Sequence, residues 1–260
     1  MNNGIKNEEK IVISYDGKKV KALSMFQKQV IKRLFGNVND NDVVYSGLCH
    51  RISKGDVYLQ INSEIKYLSI KSGNTDSMHF ESIVSFIWFF RKLGVSEKTQ
   101  KILLLFHYGD GTLDGTGSRR MLFEELYIKY KYLIEFASKE LNSKEIVSKC
   151  LDRFVVKGTE NSKVPVDYFY YGDENYGVLC SSQDLKRFVL SRNYDHYKTL
   201  HVGPMSFQPY LRDVKGISRH QYKRNIVQVK WHYFLTDLQK ALQFKYKQIK
   251  YNKNKKHVNY

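Results

Sequence analysis

The sequence is poor in the features that mark secreted, fibrous or membrane-embedded chains. Its 260 residues hold three cysteines, Cys49, Cys150 and Cys180. These are too few and too widely spaced for a disulfide framework or a zinc knuckle, so they read as reduced, buried residues. Three prolines and 16 glycines exclude collagen-like and proline-rich low-complexity architectures. No apolar run approaches the roughly 18–20 residues of a membrane span; the longest, Ile83–Phe90, is far too short. The opening Met1-Asn2-Asn3-Gly4 has no apolar signal core, and a cytoplasmic protein is expected. Gly-x-Ser-x-Gly is absent, and no Gly-Lys-Ser/Thr follows the glycine-rich stretch Gly109–Gly117, which excludes a nucleophile elbow and a phosphate loop. Acidic residues are scarce: 26 Asp and Glu face 43 Lys and Arg.

What is there is a foldable, basic chain. Hydrophobic residues make up 42% and aromatics 14%, enough to offset the entropy of folding. The formal charge of +17 is uneven. Residues 1–106 hold 16 Lys and Arg against 10 acids, residues 107–211 hold 14 of each, and residues 212–260 hold 13 against 2. Concentrated positive charge seeks phosphate backbones through counterion release. A nucleic acid is therefore the expected partner, and no membrane is.

Periodicity divides the first part of the chain. Ala22–Phe35 carries a helical stripe (Leu23, Phe26, Val30, Ile31, Leu34) that stops at Gly36. Asp42–Cys49, Asp56–Ile61 and Ile65–Lys71 read as strands, the last two joined as a hairpin through Asn62-Ser63-Glu64. Ser77–Leu93 reads as a helix ending at Gly94, and the apolar run Lys101–His107 as a buried strand. Helical patterns follow at Arg119–Leu141, Ser143–Val156 and Ser182–Leu190, and strands at Val166–Tyr171 and His201–Tyr210. Asn225–Lys245 begins strand-like and ends helical. The class is α/β (α+β). The domains expected are residues 1–106 as a core and residues 107–260 as a mixed α/β recognition and dimerisation region.

Within that core, Asp56 opens one hairpin strand and Lys71 ends the next, so antiparallel pairing brings both to one end of the sheet. Ser69 shares a face with Lys71 by strand alternation. Glu81 follows ten residues after Lys71, in the first turns of the expected helix. The order α-β-β-β-α-β, with Asp56 and then Ser69-x-Lys71, resembles the PD-(D/E)xK nuclease superfamily, which includes type II restriction endonucleases. The resemblance covers about residues 20–107. Gly55 stands where the pattern has proline, and Ser69 where it has the second carboxylate. A branch of restriction enzymes has the same Ser-x-Lys with that carboxylate moved to the following helix, the role Glu81 fits.

The resemblance implies a restriction-endonuclease-like core, a mixed sheet flanked by helices, and Mg²⁺-dependent hydrolysis of double-stranded DNA. Asp56 and Glu81 would supply metal carboxylates and the Ile70 carbonyl a third oxygen, a donor set suited to Mg²⁺. Lys71 would orient the attacking water and stabilise charge on phosphorus. Cleavage of a symmetric site would favour a homodimer.

Supporting candidates are weaker. His79 and Gln27 could each hydrogen-bond a metal water, or serve as a cap and a surface residue. Arg119 and Arg120, after the glycine-rich loop, suit a DNA phosphate or a solvated helix start. Arg219, Lys223, Arg224, Gln228 and Lys230 form the basic C-terminal candidate for DNA binding, since Arg and Gln read guanine and adenine edges. A repair, recombination or phage nuclease without tight specificity, and a non-enzymatic nucleic-acid-binding protein, remain alternatives.

Overall fold

A computed structural model of the chain describes residues 3–49, 53–73, 76–117, 119–159, 162, 164–194, 200–211 and 218–256. In chain order α1 (Asn3–Tyr15), β1 (Lys18–Lys19), α2 (Met25–Phe35), β2 (Val43–Leu48), β3 (Val57–Ile61) and β4 (Glu64–Lys71) come first. Then follow β5 (Ser77–Ser82), α3 (Ile83–Lys92), α4 (Glu97–Tyr108), α5 (Phe123–Leu141) and α6 (Lys144–Leu151). The rest is β6 (Tyr168–Gly172), β7 (Gly177–Ser181), α7 (Ser182–Leu190), β8 (His201–Val202), β9 (Met205–Pro209), β10 (Ile226–Lys230) and α8 (Phe234–Lys256).

Two compact units result, each built on its own sheet. The first comprises Met1–Thr75, Val155–Val189 and Tyr233–Tyr260; the second comprises Asp76–Phe154 and Leu190–His232. The division is interleaved, where the sequence suggested one cut after residue 106.

In the first unit the strand order is β1-β2-β3-β4-β6-β7. Every pair is antiparallel except β4 with β6, which run parallel from Leu68↔Tyr168 to Lys71↔Tyr171. This is a mixed sheet flanked by helices, the class expected. The β3–β4 hairpin turns at Asn62, whose φ of 54° is left-handed, a conformation that asparagine tolerates. α2 begins with a capping box: Ser24 Oγ accepts from the Gln27 N–H at 3.2 Å and Gln27 Oε1 from the Ser24 N–H at 3.0 Å. Alternation along β3 and β4 turns Val57, Leu59, Leu68 and Ile70 into one core, closed by Ile11 and Tyr15 of α1 and by Val30, Ile31 and Leu34 of α2. Each such fully buried side chain contributes about 1.5–3 kcal/mol. Phe169 of β6 meets Phe234 of α8 edge to face at 5.4 Å.

The second unit holds an antiparallel sheet in the order β5-β10-β9-β8. Its buried positions, Val227, Val229 and Phe207 among them, belong to a core with Phe86, Phe90 and Phe154. Two sequence expectations fail here. The helix expected over Ser77–Leu93 begins only at Ile83, because Ser82 caps it, accepting from the Ser85 N–H at 3.1 Å. The six residues before it form β5, which pairs with β10 across a register shift between Val229 and Lys230. The run Lys101–His107, expected as a strand, lies inside α4, whose cap is Ser96 accepting from the Thr99 N–H. Short apolar runs do not distinguish the two by period.

Candidate active site

Asp56 stands immediately before β3, and its main chain already belongs to the sheet. Its N–H donates to the Leu68 carbonyl at 2.8 Å, and its carbonyl accepts from the Cys49 N–H at 2.9 Å. The side chain extends that ladder by one rung. Asp56 Oδ2 accepts from the Ile70 N–H at 2.7 Å and from Ser69 Oγ at 3.0 Å. Both bonds fall on one oxygen, so Oδ1 is the oxygen left to face a cation. Ser69, buried, thus fixes the carboxylate of Asp56. Lys71 follows as the last residue of β4, half-buried.

A second acid joins them from α1. The Glu8 carboxyl is pushed up to about 7, first by burial, then by the negative charge of Asp56, with Glu9 adding to the effect and the Lys71 ammonium opposing it. Asp56, Lys71 and Glu8 therefore form one electrostatically coupled group at the end of β3 and β4. Sequence reasoning missed Glu8 because it missed α1. Ile5 and Ile13 are exposed on that helix while Ile11 and Tyr15 are buried, which blurs the apolar stripe. The spacing of Glu8, Ile11, Val12 and Tyr15 was the signal available.

Glu81 is placed differently from the expectation. It lies on β5, in the second unit, and not on a helix. Its side chain is 3% exposed and is gripped by Arg153, with Nη2 donating to Oε2 at 2.6 Å and Nε to Oε1 at 3.3 Å. His79 Nε2 stands 3.8 Å from the same carboxylate and its ring packs near Phe154 at 5.6 Å. Glu81 thus sits on a strand with its carboxylate paired to Arg153 and close to His79, and not in the first turns of the following helix where the sequence suggested it. Gln27 is likewise committed to its capping box and to the Ser14 carbonyl, at 3.3 Å.

Most of the expected DNA contacts are engaged inside the second unit. Arg120 closes the C-terminus of α4, its Nη1 donating to the carbonyls of His107 and Tyr108, each at 2.7 Å. Arg224 donates to Asp110 Oδ2 at 3.2 Å and to the Gly115 carbonyl at 3.0 Å. Lys230 pairs with Asp76 at 3.2 Å, and Gln228 Oε1 accepts from Gln208 Nε2 at 2.9 Å. Arg119, largely exposed, pairs with Glu125 at 2.6 Å. Lys223 lies 5.6 Å from the ring centre of Tyr210. The side chain of Arg219 lies outside the described residues.

Among the described residues, no group of three or more His, Cys, Asp and Glu side chains is close enough to hold a metal ion. Asp56 and Glu8 still fit a hard divalent cation, for which one or two carboxylates completed by water suffice. The Glu8 carboxyl is raised first by burial and then by the negative charge of Asp56, and a bound cation would favour the charged form of both groups.

No protein-family model matches the sequence, and neither does any curated protein sequence. Among solved structures, the restriction endonuclease MspI in complex with its cognate DNA is similar at a TM-score of 0.45 and 13% identity, over 84% of this chain and 86% of that one.

Proposed function

We propose that the chain is a Mg²⁺-dependent endodeoxyribonuclease that hydrolyses phosphodiester bonds of double-stranded DNA, and that it is sequence-specific in the manner of a type II restriction enzyme. The observation that carries this reading is the Asp56 carboxylate clasped by Ser69 and the Ile70 N–H, beside Lys71 and the coupled Glu8. Asp56 Oδ1 and Glu8 would hold the metal, with the Ile70 carbonyl as a further candidate oxygen. When bound, Mg²⁺ supplies polarisation of the phosphate and acidification of a water. The two hydrogen bonds on Oδ2 keep the Asp56 carboxylate in a single orientation, so its other oxygen would hold a cation without side-chain reorganisation. Lys71 would donate to the attacking water or a phosphate oxygen and balance the charge that grows there. Recognition and dimerisation belong to the second unit and the basic C-terminus in this reading, the dimer by symmetry with a palindromic site.

The test is incubation of the full chain with plasmid DNA, with Mg²⁺ or with EDTA. Discrete fragments in Mg²⁺ alone, lost in Lys71→Ala at unchanged thermal stability, are the expected result. A smear would retain the nuclease and remove its specificity. Absence of cleavage over a range of plasmids, or full activity in Lys71→Ala, would overturn the proposal.

A further inference from the structure

The sheet of the second unit is one-sided. Val227 and Val229 of β10 and Phe207 of β9 point into the core, so the alternate residues of those strands point out. Register lines up three outward side chains across three strands: Phe80 on β5, Gln228 on β10 and Gln208 on β9. The two amides are joined, Gln208 Nε2 donating to Gln228 Oε1 at 2.9 Å. This bond sets the Gln228 amide plane at the centre of the face. Phe80 is 46% exposed although it sits in a strand, and its ring meets that of Tyr210, 45% exposed, at 5.3 Å and 83°. A fixed aromatic ledge thus stands next to a fixed amide.

The borders of this face are cationic. Lys223 lies 5.6 Å from the ring centre of Tyr210 and 6.0 Å from that of Tyr222, and Lys230 projects two residues from Gln228. Among the described residues, the outward positions of β5, β9 and β10 carry no carboxylate; Asp76, paired with Lys230 and His232, lies outside those strands. Between β9 and β10 the sequence carries Arg212, Lys215, Arg219, Lys223 and Arg224 against the single acid Asp213. Charge complementarity therefore favours a polyanion over a protein or a lipid-like apolar partner.

The geometry points to duplex DNA as the occupant, with Gln228 and Phe80 together reading the major-groove edge of an A·T pair. A glutamine amide matches the N7 acceptor and N6 donor of adenine, and a phenyl ring packs on the thymine C5 methyl. These two features lie on the two bases of one A·T pair, and G·C lacks the methyl. Lys223 at the border then meets a phosphate. The specificity assigned here rests on the reading of the chain as a DNA enzyme, but its test does not need cleavage.

Binding is measured in EDTA with the full chain, using a pool of randomised duplexes from which the bound fraction is recovered and sequenced. The expected result is enrichment of A·T at one or more positions, with discrimination against G·C reduced roughly ten-fold or more in Gln228→Ala. Phe80→Ala should bind thymine and uracil duplexes alike, where the parent prefers thymine. Gln228→Glu, the same size and with a donor replaced by a charge, serves as the second variant, and thermal melts verify that all three fold. Unchanged preference in Gln228→Ala and Phe80→Ala, tighter binding of single strands than of duplexes, or no duplex binding at all would each overturn the inference. Cleavage of plasmid with these variants indifferent would sink this assignment and leave the nuclease standing. Selection of A·T duplexes without any cleavage would do the reverse.

Discussion

Replacing Glu8 with glutamine separates the stability of the acidic site from its chemistry. The folded Glu8 carboxyl titrates at about 7 against an ordinary 4.5, so the folded state holds this proton more tightly than the unfolded chain does. At pH 4 both states are protonated and no penalty exists. Between 4.5 and 7 the unfolded chain releases its proton first, and the folded state loses stability as pH rises; above 7 the loss is complete and flat. At about 1.36 kcal/mol per unit the full rise is worth roughly 3 kcal/mol. Glu8 is only half-buried, and solvent screening reduces that to about 1–2 kcal/mol. The amide introduced by Glu8→Gln carries no charge at any pH. Thermal unfolding of Glu8→Gln in EDTA should therefore match the parent at pH 4 and exceed it by roughly 2–6 °C at pH 8. The same variant should lose the stabilisation that Mg²⁺ confers on the parent, since a ligand that binds only the folded state raises Tm in proportion to its affinity. An equal gain at pH 4 and pH 8 would show that charge is not the cause. A gain at pH 8 with Mg²⁺ binding intact would remove Glu8 from the metal site.

Two further perturbations bear on the second unit. Glu81→Ala leaves the Arg153 guanidinium buried without its carboxylate and should cost about 3–5 kcal/mol, read as a lower urea midpoint; Glu81→Met with Arg153→Met should recover most of it. Normal stability with lost Mg²⁺ affinity would instead make Glu81 a ligand. His107, held neutral with its pKa lowered to about 4 by burial, contributes stability that is present above 6.5 and lost as pH falls from 6.5 to 4. His107→Gln should flatten the decline of Tm over that window, and an unchanged slope would contradict the burial argument.

The parts of the fold legible in the sequence are those where local signals agree. α2 has its cap, stripe and glycine stop, and β2, β3 and β4 have alternation with a turn-forming Asn62 between the last two. Asp56 and Lys71 were legible for the same reason, because a hairpin fixes which ends meet. Glu8 was not, since nothing in the sequence measures the coupling between a helix at residue 8 and a strand at residue 56. The strand position of Glu81 was not legible, because whether Ser77–Ser82 continues the following helix or forms a strand depends on pairing with β10, some 145 residues later. The strand expected at Lys101–His107 failed similarly. The partner of β4 is β6, not the apolar run of α4, and the second unit's first segment intervenes between them.

The same non-local effect changes what the net charge of +17 means. Arg120 is consumed by helix carbonyls, Arg153 by Glu81, Arg224 by Asp110 and Lys230 by Asp76. Lys245 is likewise paired with Asp184 at 2.7 Å. Each of these cations gains a partner at close range, and for those paired with a carboxylate the long-range attraction for phosphate is reduced by the neutralising charge beside it. The count of 43 Lys and Arg, and not the net excess from which these acids are already subtracted, therefore overstates the cations available to grip DNA. A salt dependence of binding should consequently report fewer phosphate contacts than the count of Lys and Arg suggests, because only cations that neutralise phosphates displace the ions condensed on DNA. Counting charge in the sequence identifies a class of partner, but which cations face it is decided by the carboxylates and carbonyls that the fold brings beside them.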